Sequence, residues 1–483
     1  MKQLSVLIVT MILLFTAGNL FAGSVDALGN LSAEYIRTLS RNASTDADAV
    51  TYNPAGLAFM QDGLYVDLGG QYLIKDYRMK DEKAANTWNI GKEFKSDVPS
   101  IIPNLAAVYK SNDWAAFLSF NAIAGGGSLK YDGGSPMLGT AMYWGGMQTL
   151  MPGIVQQAMP TIVQEIMAAN PGMSLEDATA AALPIAMQNA QPIADGLAKN
   201  AAAGVNNLKL ESIYYAATIG GAYKFNDMFS GGLGFRYVYG SKTFDIKNKT
   251  SNAALTTLQV QGTNLAKIDL TAHGFTGIAS VDCTPIEELF ISLRYESPTI
   301  LKWDTKISGS AFGGGLADGL GYKDGETERK DLPQIVAAGL SYRIIPDLTA
   351  SLSFTYYMIS QSNWKHYNGV KTNSEYSNGF DAAIALEYSI IPALLVSAGY
   401  MRTQTGGGSK TLNDFEMALD SNAFAIGARY EAIEGLFINL GLQWAKYIDA
   451  NGKPDLGSPT GPENIKYSKD VKAIGLGVQY KIM

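Results

Sequence analysis

A two-residue hydrophobic period runs through almost the whole chain and limits what it can fold into. Leu64, Val66, Leu68, Tyr72 and Ile74 share one face of an extended segment, opposite Asp67, Gly69 and Gln71. Near the middle, Leu348, Ala350, Leu352, Phe354, Tyr356 and Met358 oppose Thr349, Ser351, Ser353 and Thr355. Leu436, Ile438, Leu440, Leu442 and Trp444 oppose Asn439, Gly441 and Gln443, and Ile474, Leu476, Val478, Tyr480 and Ile482 close the series. Fourteen such segments are predicted, at 64–77, 100–110, 114–129, 208–225, 228–248, 264–283, 289–306, 332–343, 348–361, 379–389, 394–405, 422–430, 436–448 and 471–482. Most reach the roughly 9–11 residues of a tilted membrane-spanning strand, where soluble strands average about 5–6.

Composition agrees. The chain is 47% hydrophobic and only 17% charged, yet no internal stretch approaches the roughly 18 apolar residues of a spanning helix. Connections alternate between short ones, such as Ser111-Asn112-Asp113 and Asn226-Asp227, and long ones rich in Gly, Asn, Lys and Asp. Aromatics near strand ends (Trp303, Tyr356, Tyr357, Trp444, Tyr447) read as interfacial girdles. The fold class expected is all-β, a 14-stranded antiparallel transmembrane β-barrel, in preference to a secreted β-sandwich.

Several function classes are disfavoured. A net charge of −7 without a basic run argues against nucleic acid. Cys283 is the single cysteine, so neither a disulfide framework nor a multi-cysteine metal site is available within the chain. No metal-ligand spacing is visible. His273 and His366 form no pairing with a nucleophile that would indicate an enzyme. Gly240-Ser241-Lys242-Thr243 lacks the spacing of a phosphate loop and reads as a strand-end turn. No cofactor is expected.

Residues 1–22 read as a signal peptide, with Lys2, an apolar core from Leu4 to Phe15, and Ala22 before the cut. Between it and the first strand lies a small, polar, turn-rich stretch, 23–60, centred on Asn53-Pro54-Ala55-Gly56. Proline fixes φ and moves Asn53 away from helix, and Gly56 permits a tight turn. An ordinary turn is one reading. Ahead of fourteen strands with alternating loop lengths, the motif resembles that of the FadL-type family of outer-membrane transporters for hydrophobic compounds. The resemblance implies that residues 23–60 are a hatch plugging a barrel made by residues 61–483. The C-terminus, Tyr480-Lys481-Ile482-Met483, departs from the terminal Phe common in outer-membrane proteins.

One insertion, about 141–204, has helical spacing: Ile154, Val155, Ala158, Ile162, Val163, Ile166 and Met167, then a break at Asn170-Pro171-Gly172 and a cap at Ser174. Pro152, Pro160, Pro184 and Pro192 predict a few short or kinked helices in this extracellular loop. Three groups are candidate sites. Met147, Met151, Met159 and Met167 either pack the loop's own core or capture apolar substrate, and the resemblance implies capture. Gly125-Gly126-Gly127 is either a plain strand end or a kink, and the family's kinked third strand opens a lateral window. Arg236 and Arg294 point into the lumen by parity. They either pair with carboxylates such as Glu296 or Glu387, or bind a substrate carboxylate. The reading is a monomeric passive channel for long-chain fatty acids or other hydrophobic compounds, with membrane lipids and the outer-membrane assembly machinery as partners. A polar-solute porin, or a surface adhesin using the barrel as scaffold, is the alternative.

Overall fold

The structure, a computed structural model, describes residues 31–84, 88–89, 91–248, 264–311, 315–456 and 458–482. The expected signal peptide and the first residues of the hatch lie outside the described residues.

Fourteen antiparallel strands close a barrel: β1 Gly63–Asp81, β2 in two pieces (Glu93–Ser96 and Ser100–Ser111), β3 Trp114–Asp132, β4 Val205–Lys224, β5 Phe229–Asn248 and β6 Asn264–Ile286. They continue as β7 (Leu289–Glu296 and Lys302–Ser310), β8 (Thr327–Lys330 and Ile335–Ile345), β9 Leu348–Tyr357, β10 Gly379–Ile391 and β11 Leu394–Gln404. The last three are β12 Ser421–Ile433, β13 Leu436–Tyr447 and β14 Ile465–Lys481. Each pairs with the next, and β14 returns to β1 from Tyr65↔Lys481 to Asp81↔Ile465. Closure removes every sheet edge, which a bilayer requires because it offers the backbone no hydrogen-bond partners.

Alternation sorts the side chains as the sequence implies. Leu68, Ile101, Leu118, Ile219, Leu233 and Leu476 are exposed outward, while Asp67, Gln71, Asn104, Ser119 and Gln479 are buried inside. An apolar outer belt on a closed barrel is the surface of a membrane-spanning protein.

Three details differ from expectation, the first because the strand phase shifts. In the first piece of β7 the even residues face inward, and in the second piece the odd ones do. The break at residues 297–301 shifts the phase by one, which swaps the faces. Trp303 is therefore fully buried in the lumen beneath the Lys242 ammonium, 4.1 Å from its ring, and is no girdle residue. Tyr357 also points inward, whereas Trp444 remains outside. The Gly240–Thr243 stretch is the middle of β5, which runs on to Asn248, and not a turn at its end.

The insertion is two long helices, α3 Pro136–Ala169 and α4 Leu175–Gly204, where short ones were expected. Ser135 and Pro136 start α3, and the Ser174 hydroxyl accepts from the Asp177 amide to cap α4. The four interior prolines each cost about 3 kcal/mol, but all face away from the partner helix. The seam is an alanine row at every fourth residue of α4: Ala178, Ala182, Ala186, Ala190, Ala194 and Ala198. Small residues let the two helices approach closely, with Gly146 meeting Ala198. This packing offsets the proline cost. The base of α3, including Met137, Leu138 and Met142, packs into the core at the long-loop end of the barrel, and Asp414 accepts there from the Met137 amide (2.7 Å) and the Tyr467 hydroxyl (2.8 Å). Burial pushes the Asp414 carboxyl up to about 6.

Candidate functional site

The lower lumen is filled by residues 31–60, nearly all of them buried. They form α1 Ala33–Thr38, α2 Ala49–Tyr52 and a 3-10 turn, Pro54–Phe59. The Arg41 guanidinium holds the segment together internally by gripping Asp48 (2.6 Å) and Asp46 (2.7 Å). Polar side chains of the wall then fasten it on several sides. Arg37 pairs with Glu387 of β10 at 2.5 Å, and Arg429 of β12 pairs with Asp46 at 3.1 Å. Asn439 of β13 donates to Glu34 (2.6 Å) and accepts from Arg37 (3.2 Å).

The Asn53-Pro54-Ala55-Gly56 motif lies against the short-turn end of β5 and β6. Asn53 donates to the Ser44 carbonyl (3.2 Å) and to Asp282 (3.1 Å). The Ala55 amide donates to Ser280 (2.8 Å), and its carbonyl accepts from Ser230 (3.0 Å). A side chain at Gly232 would strike the Pro54–Ala55 peptide at 2.6 Å, so the wall is bare there to admit the motif. A Cβ at Gly56 would overlap the Ser44 carbonyl oxygen.

Above this segment lie two cavities, enclosing about 850 and 1040 Å³ of space between atoms, open mouths included. Tyr35, Tyr357, Asp381 and Met401 border both and form a partition between them. The Tyr35 hydroxyl donates to the Met401 sulfur at 3.2 Å, and Asp381 accepts from Tyr357 (2.7 Å) and Thr403 (2.6 Å). Arg236 and Arg294 both face the first cavity. Arg236 pairs with Glu296 at 2.5 Å; Arg294 approaches the same carboxylate at 3.4 Å and donates to the Thr51 carbonyl of the plug. Glu387, the other partner considered for Arg294, belongs to Arg37 instead. The charged lining of this cavity is Arg236, Arg294, Glu296 and Asp381, whose formal charges cancel.

Gly125-Gly126-Gly127 is not a strand end. It is a bulge within β3, with register shifts between Ala122 and Ala124 and between Ala124 and Gly127. Gly125 (φ +90°) and Gly127 (φ +72°) take conformations that L side chains rarely adopt. The consequence falls on the other side of the strand. The β2–β3 ladder runs only from Ser111↔Trp114 to Asn104↔Asn121. Beyond it the strands part, to meet again where the Lys130 amide donates to Ser96 (2.8 Å). Pro99, in the break between the two pieces of β2, and Pro103, in its second piece, lack the N–H that a ladder needs. The second cavity reaches this unzipped seam at Lys75 and Gly126.

The four methionines are not brought together. Met147 and Met151 pack against the core at the base of the helix pair, and Met159 joins a small cluster with Ile162, Ala182 and Ala186. Met167 is exposed near the tip, and Leu175, Leu183, Ile185, Met187 and Ile193 are exposed along α4. Sequence reasoning missed Asp381, Tyr357 and Lys75, which lie inward by parity but in no motif. His366, expected in a polar loop, is buried 4.0 Å from Glu328, and burial lowers its pKa to about 4.

No protein-family model and no curated relative matches the chain. Solved structures do. A Pseudomonas aeruginosa FadL homologue is 15% identical, covers 97% of this chain and 100% of its own, and superposes with a TM-score of 0.61. The P. putida toluene transporter TodX is 13% identical over 96% of this chain and 99% of its own, with a TM-score of 0.56. The Ralstonia pickettii toluene transporter TbuX is 13% identical over 96% of this chain and 100% of its own, with a TM-score of 0.53. The superposition spans nearly the whole of both chains, and the chain therefore has the FadL-type barrel fold.

Proposed function

We propose that this protein is a passive outer-membrane channel for uptake of hydrophobic compounds, and that its preferred cargo is uncharged. The observation that carries this reading is the lumen itself: a fastened plug below, and above it two partly apolar cavities, the second of which reaches an unzipped seam in the wall. A solute that meets a closed floor and a side opening leaves sideways into the bilayer, the favourable destination for an apolar molecule. In this reading 23–60 is the hatch, Gly125–Gly127 shapes the side opening, and the exposed apolar flank of α3 and α4, Met167 included, is the landing surface. Met147, Met151 and Met159 serve as its packing.

Charge supports neutral cargo over fatty acids. A carboxylate moved into a poorly solvated cavity needs a partner, and Arg236 and Arg294 already hold Glu296 and the plug. The toluene transporters among the solved structures of this fold make a monoaromatic hydrocarbon the first probe to use. The test is accumulation of labelled toluene, methyl decanoate and decanoate by cells with and without the protein. Faster accumulation of toluene and the ester, with little gain for decanoate, is the expected result. A gain for decanoate alone would restore the carboxylate reading. Passage of sugars and ions without any of the three would identify a polar-solute porin.

A further inference from the structure

We propose that Lys75 is the bolt of the side opening: its ammonium ties the two parted strands together, and its withdrawal unlatches the seam. This rests on the lateral route proposed above but assigns the control of that route to one residue. Lys75 lies on β1, one strand away from the seam, and its side chain is almost fully buried. From there its Nζ reaches Ser100 Oγ of β2 at 2.7 Å and two carbonyls of β3, Gly126 at 2.8 Å and Ser128 at 2.6 Å. An ammonium carries three N–H donors and no acceptor, so it can hold three oxygens from two strands at once.

The placement matters more than the count. All three acceptors lie within the stretch where the β2–β3 ladder is missing, between the Asn104↔Asn121 pair and the Ser96–Lys130 contact. Ser100 also donates to the Gly126 carbonyl, at 3.3 Å. The bulge turns the Gly126 and Ser128 carbonyls toward Lys75, and a Cβ at Gly127 would overlap the Ser100 hydroxyl. Sequence and geometry thus unzip a ladder and replace it with one flexible side chain. Backbone ladders are distributed over many residues, whereas a lysine stem can move as a unit. The bolt also borders the second cavity, so cargo held there is within reach of the lysine stem.

The test places a reporter thiol in the seam. G126C is suitable because a Cβ at Gly126 meets nothing within 4 Å, and C283S removes the native thiol. G277C, on β6 and paired with Phe235 of β5, lies away from the β2–β3 seam and is the control; a Cβ there makes only an ordinary contact with Ser297. The purified protein is placed in lipid vesicles and labelled with pyrene maleimide delivered through the bilayer. K75M, which keeps the stem and loses the donors, should label G126C about tenfold faster, the effect of losing a hydrogen bond made by a charged group. G277C should be unchanged, and K75R should return G126C towards the parent rate. A G126C rate in K75M equal to the parent's, in protein whose heat-dependent gel shift shows an intact barrel, would overturn the bolt. So would K75R labelling as fast as K75M. If the K75M seam opens by this measure and toluene uptake does not change, Lys75 is still the bolt and the lateral route itself fails.

Discussion

The seam between β5 and β6 and the seam between β2 and β3 use glycine to opposite ends. The first is paired from Phe229↔Cys283 to Lys247↔Asn264, with its single shift at the far end. Its Gly232 sits in regular ladder and merely leaves room for the Pro54–Ala55 peptide. The second loses its ladder above Asn104↔Asn121, because Gly125 and Gly127 take positive φ and Pro99 and Pro103 withhold donors. The wall is continuous where the hatch takes hold and interrupted where the cavity arrives. A missing Cβ leaves the first ladder intact, whereas a bulge opposite prolines accompanies the interruption of the second.

Removing the hatch breaks the comparison most severely. Deletion of residues 23–60 should leave a heat-modifiable barrel whose single-channel conductance in planar bilayers rises by about tenfold or more, since the lumen is then a water-filled pore. Parent-like conductance would mean the lumen is closed elsewhere.

Forcing the second seam to resemble the first is the next largest change. G125A places a methyl 2.4 Å from the Ser212 carbonyl oxygen at φ +90°, and G125A/G127A should re-form or jam the bulge. Toluene uptake should fall about tenfold, in line with the roughly 1–2 kcal/mol per residue that such backbone conformations cost a side chain. Ion conductance should not move.

R236Q sharpens the account of the hatch. It removes the nearer partner of a buried carboxylate, a change worth about 3 kcal/mol, and loosens the Glu296–Arg294–Thr51 chain of contacts. Trypsin should cut the hatch faster, and uptake of decanoate and methyl decanoate should change by the same factor. A selective loss for the acid would make Arg236 a carboxylate site.

The smallest effect expected is at the helix pair, which is held at its base where the hatch is held all round. The Asp414 carboxyl is raised to about 6 from an ordinary value near 4 by burial. A group whose folded pKa is raised contributes stability at low pH that is lost as pH rises through the folded value. Protease cleavage near the base of α3 should therefore increase between about pH 4 and pH 6, and D414N should flatten that dependence.

Much of this was legible in the residues. Period two gave all fourteen strands and turned Arg236 and Arg294 inward, and Ser174 marked the start of α4. Where phase slips, parity fails: the break at residues 297–301 moved Trp303 from the membrane girdle into the lumen, and nothing local announces it. The prolines of α3 and α4 were misleading because the alanine seam that tolerates them is itself a tertiary feature. Gly125–Gly127 signalled a bend, but not which neighbour would part from β3, and Lys75 carries no local sign of a bond to Gly126, since it reaches that carbonyl from β1. The pairing of both arginines with one glutamate likewise joins β5 and β7, a contact that no spacing encodes.

The central claim is that cargo leaves through the wall and not past the hatch, and locking the hatch tests it most directly. Ala33 and Gly477 lie so that a Cβ on Gly477 would sit 2.9 Å from that of Ala33, within about 1 Å of disulfide spacing. A33C/G477C, on the C283S background, should therefore tether the hatch to β14 when oxidised. Toluene uptake by cells carrying the oxidised variant should equal that of the same cells after reduction. Uptake lost on oxidation and regained with reductant would show that the cargo passes the hatch, and would contradict the account.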